Sequence, residues 1–82
     1  MSRVAHLKAI QAFEAVARTG NVTLAAVDLS IRQSAVSYHI QVLETALGVK
    51  LLDRRSRSVR LTEAGLQLLP YVRNGQIGRA HV

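Results

Sequence analysis

Several residue types that support particular chemistries are absent or scarce in this chain. It has no cysteine, so a disulfide framework, a thiolate nucleophile and a cysteine-based zinc site are all excluded. Tryptophan is also absent, and there are only one phenylalanine, two tyrosines and one proline. No apolar run approaches the ~20 residues needed to span a membrane, and the first residues lack the apolar segment of a secretory signal. What remains is typical of small helices packed through Leu, Val, Ile and Ala.

Acidic residues are the other shortage. The 82 residues include 11 Lys and Arg but only 5 Asp and Glu, which gives a formal net charge of +6. A chain of this length forms one small domain. So much positive charge on a small body predicts attraction to a polyanion, and nucleic acid is favoured over an acidic membrane surface.

Two amphipathic helices are predicted in the first third of the chain. Apolar residues recur at helical spacing from Ala5 to Arg18, with Phe13 as the bulkiest core residue, and Gly20 ends the pattern. Asn21 is a good N-cap for a second helix over Val22–Leu29. The apolar members of the first helix that share its inward stripe are Leu7, Ile10, Phe13, Val16 and Ala17.

A third helix is predicted from Gln33 to Leu47, after a short turn at residues 30–32. At helical spacing, one stripe of this segment is apolar and the opposite face is polar but almost uncharged. The apolar stripe consists of Val36, Ile40, Leu43 and Leu47, and the polar face of Ser34, Ser37, Tyr38, Gln41 and Thr45. Hydroxyl and amide groups suit the reading of base edges, and a short helix, a turn and a polar-faced helix form a helix-turn-helix. A plain helical hairpin has the same periodicity and remains the alternative at this point.

A basic hairpin is predicted next. Gly48 caps the third helix, and residues 51–54 and 58–61 form two short strands. Five of the eleven basic residues lie within this segment, opposed only by Asp53: Lys50, Arg54, Arg55, Arg57 and Arg60. Although a run of charge is often only a solvated face, its position directly after a polar-faced helix predicts contact with phosphates or a minor groove.

A last helix is predicted after Thr62, its candidate N-cap, with Glu63 in the first turn. Its apolar stripe is Leu66, Leu69 and Val72, and Pro70 is expected to kink or loosen it. From Asn74 the apolar periodicity fails, so residues 74–82 are expected to be a disordered or non-native tail.

No catalytic constellation is found in the sequence. The three histidines, His6, His39 and His81, lie far apart, and no carboxylate stands at metal-ligand spacing from them. We therefore expect neither an enzyme nor a bound cofactor or metal. The main alternative to DNA binding is a protein–protein interaction or dimerisation module, since Leu24 and Val27 are apolar residues that the second helix can expose. RNA binding is a further alternative, although the sequence lacks the aromatic stacking residues typical of single-strand recognition.

Several short motifs occur together in a fixed order. They are Ala25-Ala26 with Leu29, Gln33-Ser34-Ala35-Val36-Ser37, Leu43-Glu44, Leu47-Gly48, Leu51-Leu52-Asp53-Arg54 and Leu61-Thr62-Glu63-Ala64-Gly65. From about Leu7 to Val72 the chain resembles the N-terminal domain of LysR-type bacterial transcriptional regulators. The resemblance implies a mainly α, winged helix-turn-helix fold with a three-helix core, a two-stranded β wing and the start of a linker helix. The domain then covers residues 1–62, the linker helix residues 63–73 and the tail residues 74–82.

The resemblance also implies a partner, an assembly and a set of contacts. Such regulators bind promoter DNA in the bacterial cytoplasm, at the nucleoid, as homodimers or homotetramers, and a separate domain, absent here, binds a small-molecule effector. The implied base readers are Gln33, Ser34, Ser37 and Tyr38. Gln41, a further polar residue of the same helix face, is added to them as a candidate. The implied phosphate or minor-groove contacts are Arg32, Arg54, Arg55 and Arg57.

Three positions depart from the family's pattern. Arg32 stands where a Ser or Thr cap is usual, which predicts a poorer helix cap and an additional cation. Tyr38 stands where Arg is common, so the usual base contact there is in question. Leu52 replaces a frequent Phe, and other side chains must fill the lost volume.

Overall fold

Helices dominate the part of the chain that the computed structural model describes, which comprises residues 3–55 and 58–73. The elements in chain order are α1 (Arg3–Thr19), α2 (Val22–Leu29), α3 (Gln33–Leu47), β1 (Leu52–Asp53), β2 (Arg60–Leu61) and α4 (Glu63–Arg73). This is the predicted mainly α, winged helix-turn-helix arrangement. Arg57 and the tail at residues 74–82 lie outside the described residues.

The ends of α1 and α2 follow from local signals in the sequence. Gly20 adopts a left-handed conformation with φ of 74°, and its N–H donates to the Val16 carbonyl, which closes α1. Asn21 caps α2 by accepting the Leu24 N–H at 3.1 Å. Arg18 of α1 pairs with Glu14 on the same helix and with Asp28 of α2, and the second pair joins the two helices. Apart from α1 beginning two residues before the predicted Ala5, both helices are confirmed.

The core lies between α1, α2 and α3 and extends under the wing. The largest fully buried side chains are Phe13, Val16, Val36, Ile40 and Leu51. Phe13 is therefore the bulky core contact that the periodicity predicted. Ala25 and Ala26 are also buried, and their small side chains let α2 approach its neighbours closely.

Three predicted core leucines are exposed instead. Leu7 is 38% exposed, Leu47 is 50% exposed and Leu66 is 59% exposed. In the last turn of α3 the chain reverses at Gly48, and the buried Leu51 and Leu52 complete the core at this end in place of Leu47.

Helix α4 shows why one member of its predicted stripe, Leu66, is exposed. The buried Gly65 lies against Leu51, whose carbonyl oxygen would overlap a Cβ added at that glycine. The inward face of α4 therefore follows Gly65, Leu69 and Val72, and Leu66, one position along, points away. The predicted cap is confirmed, because the Thr62 hydroxyl accepts the Gly65 N–H at 3.1 Å. The helix continues past Pro70 to Arg73.

The wing is an antiparallel pair in which Leu52 faces Leu61 and Asp53 faces Arg60. Both strands are shorter than the predicted residues 51–54 and 58–61. The ladder stops after Asp53 because its carboxylate accepts the Arg55 backbone N–H at 3.1 Å and starts a turn there. Leu52 is 6% exposed, so the smaller side chain still reaches the core beneath the wing.

Candidate DNA-binding surface

Helix α3 presents its polar face outward because its apolar stripe is fixed in the core. Val36, Ile40 and Leu43 are buried, as predicted. Four of the five candidate base readers are exposed and Ser37 is half-buried; the exposed four are Gln33, Ser34, Tyr38 and Gln41. None of the five carries a charge, so this face can both donate and accept hydrogen bonds at base edges.

The beginning of α3 carries a cation and lacks a side-chain cap. Arg32 is the N-cap residue, has extended backbone angles and makes no capping hydrogen bond with its side chain. Its carbonyl accepts the N–H groups of Ala35 and Val36 at 3.0 and 3.1 Å. The predicted weak cap is therefore confirmed. An exposed guanidinium beside uncapped N–H groups is an arrangement that favours a phosphate oxygen.

Tyr38 stands out from the middle of this face. Its side chain is 62% exposed, and its ring meets the His39 ring edge to face with centroids 5.6 Å apart. A tyrosine here can offer its ring to a thymine methyl group and one hydroxyl to a base or phosphate. It cannot make the forked contact by which arginine reads guanine.

Arg54 and Arg55 of the wing are both exposed, but they differ in their partners. Asp53 accepts hydrogen bonds from the Arg55 Nε at 3.0 Å and from its Nη2 at 2.8 Å. The guanidinium lowers the pKa of the Asp53 carboxyl to about 2, so this ion pair persists throughout the physiological range. Arg54 has no ion pair among the described residues.

One open groove joins the polar face of α3 to the wing. Ser37 and Gln41 form the helix side of this groove, and Arg54, Arg55 and Thr62 form part of the wing side. The structure thus brings two candidate base readers beside two candidate phosphate contacts. Arg32, Gln33 and Ser34 do not line the groove and lie at the start of α3, so the candidate surface extends along the helix from its N-terminus to the wing.

Glu44 belongs to this surface and was missed as a functional residue by sequence reasoning. Its carboxylate, with a side chain 11% exposed, accepts the backbone N–H groups of Leu51 and Leu52 at 2.8 and 3.2 Å. Lys50 Nζ lies 3.9 Å from its other oxygen. The sequence signal was only that a lone acid stands on a helix otherwise free of acidic residues. The contact itself spans seven residues and follows from tertiary structure.

Two other kinds of site find no support in the described part of the chain. Residues 3–55 and 58–73 contain no group of three or more His, Cys, Asp or Glu side chains that could hold a metal ion. Within the same ranges, no helix has both the length and the apolar character required to cross a membrane.

Comparison with known proteins connects this surface to a family. Residues 7–66 match the model of the family described as bacterial regulatory helix-turn-helix protein, lysR family. A carbapenem-hydrolyzing beta-lactamase transcriptional activator from Serratia marcescens is 50% identical over 66 residues, which are 80% of this chain and 23% of the activator. The HTH-type transcriptional regulator PerR from Escherichia coli is 42% identical over 71 residues, or 87% of this chain and 24% of that protein. The chain thus spans about a quarter of the length of these curated relatives.

Solved structures show the same likeness. The BenM DNA-binding domain in complex with benA site 1 DNA has a TM-score of 0.81 and 37% identity, covering 85% of this chain and 79% of that one. The CbnR DNA-binding domain in complex with DNA has a TM-score of 0.79 and 37% identity, with coverages of 85% and 80%.

Proposed function

The chain belongs to the lysR family of bacterial regulatory helix-turn-helix proteins, and from this premise we propose that it binds double-stranded DNA sequence-specifically and serves in transcription regulation. The observation that carries the proposal is the groove in which the uncharged polar face of α3 meets the arginines of the wing. Such a surface separates two tasks: α3 enters the major groove and the wing contacts the backbone.

We assign the roles residue by residue. The proposed base readers are Gln33, Ser34, Ser37, Tyr38 and Gln41. The proposed phosphate or minor-groove contacts are Arg32, Arg54, Arg55 and Arg57. Four of the assigned residues, Ser37, Gln41, Arg54 and Arg55, line one groove, which supports the assignment, whereas Arg57 is proposed from the sequence alone.

The proposed organisation of the whole regulator follows from the family. Residues 1–62 form the DNA-binding domain, and α4 begins a linker helix at residues 63–73. The full protein acts as a homodimer or homotetramer, and a domain outside this chain binds a small-molecule effector. Its place of action is the bacterial nucleoid, where double-stranded DNA lies, and no catalytic role is proposed.

Binding-site selection from random duplexes, followed by titration at several salt concentrations, tests the proposal. We expect a defined consensus. Arg54→Ala should weaken binding to all duplexes alike and reduce the salt slope by about 0.9, the value of one phosphate. Ser37→Ala should instead cost about 1 to 3 kcal/mol at particular base pairs. A reversal, with Arg54→Ala changing the consensus and Ser37→Ala only the salt slope, would contradict the assignment of roles.

The second candidate function is a protein–protein module. The observation that favours it is the exposure of two apolar side chains on α2, since Leu24 is 53% and Val27 71% exposed. The same titrations discriminate the two functions. An apolar docking surface responds little to salt, whereas phosphate binding weakens steeply as salt rises.

A further inference from the structure

We propose that Glu44 is a positioning residue for DNA binding, which fixes the wing relative to the major-groove helix. This inference rests on the proposed function. The carboxylate leaves the side of α3 and accepts two consecutive wing N–H groups, those of Leu51 and Leu52. One acidic side chain thereby joins the proposed base-reading element to the first strand of the phosphate-contacting element.

The same segment is held from its other side by the end of the wing. The Thr62 hydroxyl donates to the Lys50 carbonyl at 2.6 Å, and the Thr62 N–H donates to the Leu51 carbonyl at 3.0 Å. Residues 50–52 therefore lie between Glu44 on α3 and Thr62 at the start of α4. The N–H groups of Leu51 and Leu52 are both held by Glu44, whose carboxylate accepts them at 2.8 and 3.2 Å.

The consequence for binding is geometric. Arg54 and Arg55 directly follow β1, while Ser37 lies two turns before Glu44 on α3. The wing arginines reach phosphates while α3 contacts bases only if the distance between these elements is fixed in advance. Without the acceptor on Glu44, two buried N–H groups lose their partner and the first strand of the wing loses its attachment to α3.

The sign of the effect distinguishes this role from simple charge. Removing an acidic residue from a DNA-binding surface ordinarily strengthens binding, because it lowers repulsion of phosphates. The positioning role predicts weaker DNA binding for a variant that also removes the hydrogen-bond acceptor. Gln and Met are similar in size and both favour helices, so Glu44→Gln and Glu44→Met remove the same charge and differ in whether an acceptor remains.

The experiment measures duplex affinity and salt slope for the unchanged chain and for both variants, at a temperature where circular dichroism shows each to be folded. We expect Glu44→Gln to bind within about fivefold of the unchanged chain, since it keeps an oxygen for the two N–H groups and loses the charge that faces the exposed Lys50 ammonium. Glu44→Met should bind about 10- to 100-fold more weakly, because a displaced wing loses one or two of its contacts between arginine and phosphate. It should also show a smaller salt slope. Glu63→Gln, which removes an acid from the first turn of α4, is the charge control and should not weaken binding.

Amide hydrogen exchange supplies a readout independent of DNA. The N–H groups of Leu51 and Leu52 should exchange faster in Glu44→Met and remain protected in Glu44→Gln. Should Glu44→Met fail to fold, Glu44→Asp takes its place, because it keeps the charge while its carboxylate is one methylene shorter. Glu44→Asp is then expected to lose duplex affinity and protection of the Leu51 and Leu52 N–H groups, as Glu44→Met would.

Two failures are distinguishable. If the unchanged chain binds no duplex in a salt-dependent manner, the proposed function is overturned and this inference with it. If the unchanged chain binds DNA but Glu44→Met or Glu44→Asp binds as tightly as the unchanged chain, with the same salt slope, the positioning role alone is overturned.

Discussion

Arg54 and Arg55 of the wing differ in whether an ion pair within the protein competes with contact to DNA. The Arg55 guanidinium already holds the Asp53 carboxylate through two hydrogen bonds, in the side-on geometry that it would use for a phosphate. Arg54 has no such partner among the described residues. Because the pKa of Asp53 is lowered to about 2, the competing carboxylate stays charged at any pH at which the domain works. We therefore expect Arg54 to contribute more to affinity than Arg55.

Replacing Asp53 by Asn tests this competition. Asparagine keeps an oxygen for the Arg55 backbone N–H and loses only the charge, so the turn should persist while the guanidinium becomes available to phosphate. We expect Asp53→Asn to tighten binding to all duplexes and to raise the salt slope by up to about 0.9, the value of one phosphate. In an Arg55→Ala background most of this gain should vanish. An equal gain in both backgrounds would mean that Asp53 acts only by general repulsion.

Helix α3 shows how far the spacing of apolar residues predicts which of them are buried. Val36, Ile40 and Leu43 recur at helical spacing and are buried against α1 and α2. Leu47 continues the same spacing, yet half of its surface remains exposed. The spacing specifies the direction in which a side chain points. It does not specify how far along the helix the neighbouring elements extend.

A matched pair of substitutions measures the difference in burial between Leu43 and Leu47. Leu43→Ala should lower the free energy of unfolding by about 2 to 5 kcal/mol through lost transfer and a cavity. Leu47→Ala, the same chemical change on the same helix, should cost about 1 kcal/mol or less, because half of its surface is already in water. Urea unfolding of both variants, with the slope m checked for constancy, provides the comparison. Equal losses would contradict the burial of this helix.

Local signals predicted most of the fold, and tertiary contacts account for what they missed. Caps at Asn21, Gly48 and Thr62 act within a few residues and could be identified from the sequence. Leu66 was placed on the wrong face because nothing local shows that Gly65 packs on the Leu51 backbone. Glu44 was missed as a positioning residue for the same reason. In the candidate site, residue types predicted the polar face and the arginines, whereas the groove that joins them depends on how the wing folds back.

For the whole molecule, basic residues outnumber acidic residues by 11 to 5, so many cations have no acidic partner. Glu14 and Asp28 both pair with Arg18 on the α1 and α2 side. Arg32 and Arg54 of the candidate surface have no ion pair among the described residues, and the net charge of the chain is +6. The rate of association with a duplex should therefore fall as salt rises.

Size and helix length together lead to a prediction about assembly. The molecule measures 37 × 27 × 23 Å, so two copies fit side by side at the ~34 Å separation of successive major grooves on one face of a duplex. The eleven described residues of α4 span only ~17 Å. Because the described length of α4 does not bridge that separation, we expect the 82-residue chain to sediment as a monomer at micromolar concentration and to bind a half-site weakly.

Joining two copies should restore tight binding without any new contact. A Gly/Ser tether of about 40 residues has a root-mean-square length near the required separation, so the second domain binds at a high effective concentration. We expect affinity for a palindrome with half-sites one helical turn apart to rise by about 10² to 10⁴ over that of the single chain. Affinity for an isolated half-site should change little, which makes it the matched control. If the untethered chain already binds the palindrome as tightly as the tethered pair and sediments as a dimer, the prediction is contradicted, and the chain itself pairs the domains. In that case the exposed Leu24 and Val27 of α2 would be the first side chains to substitute.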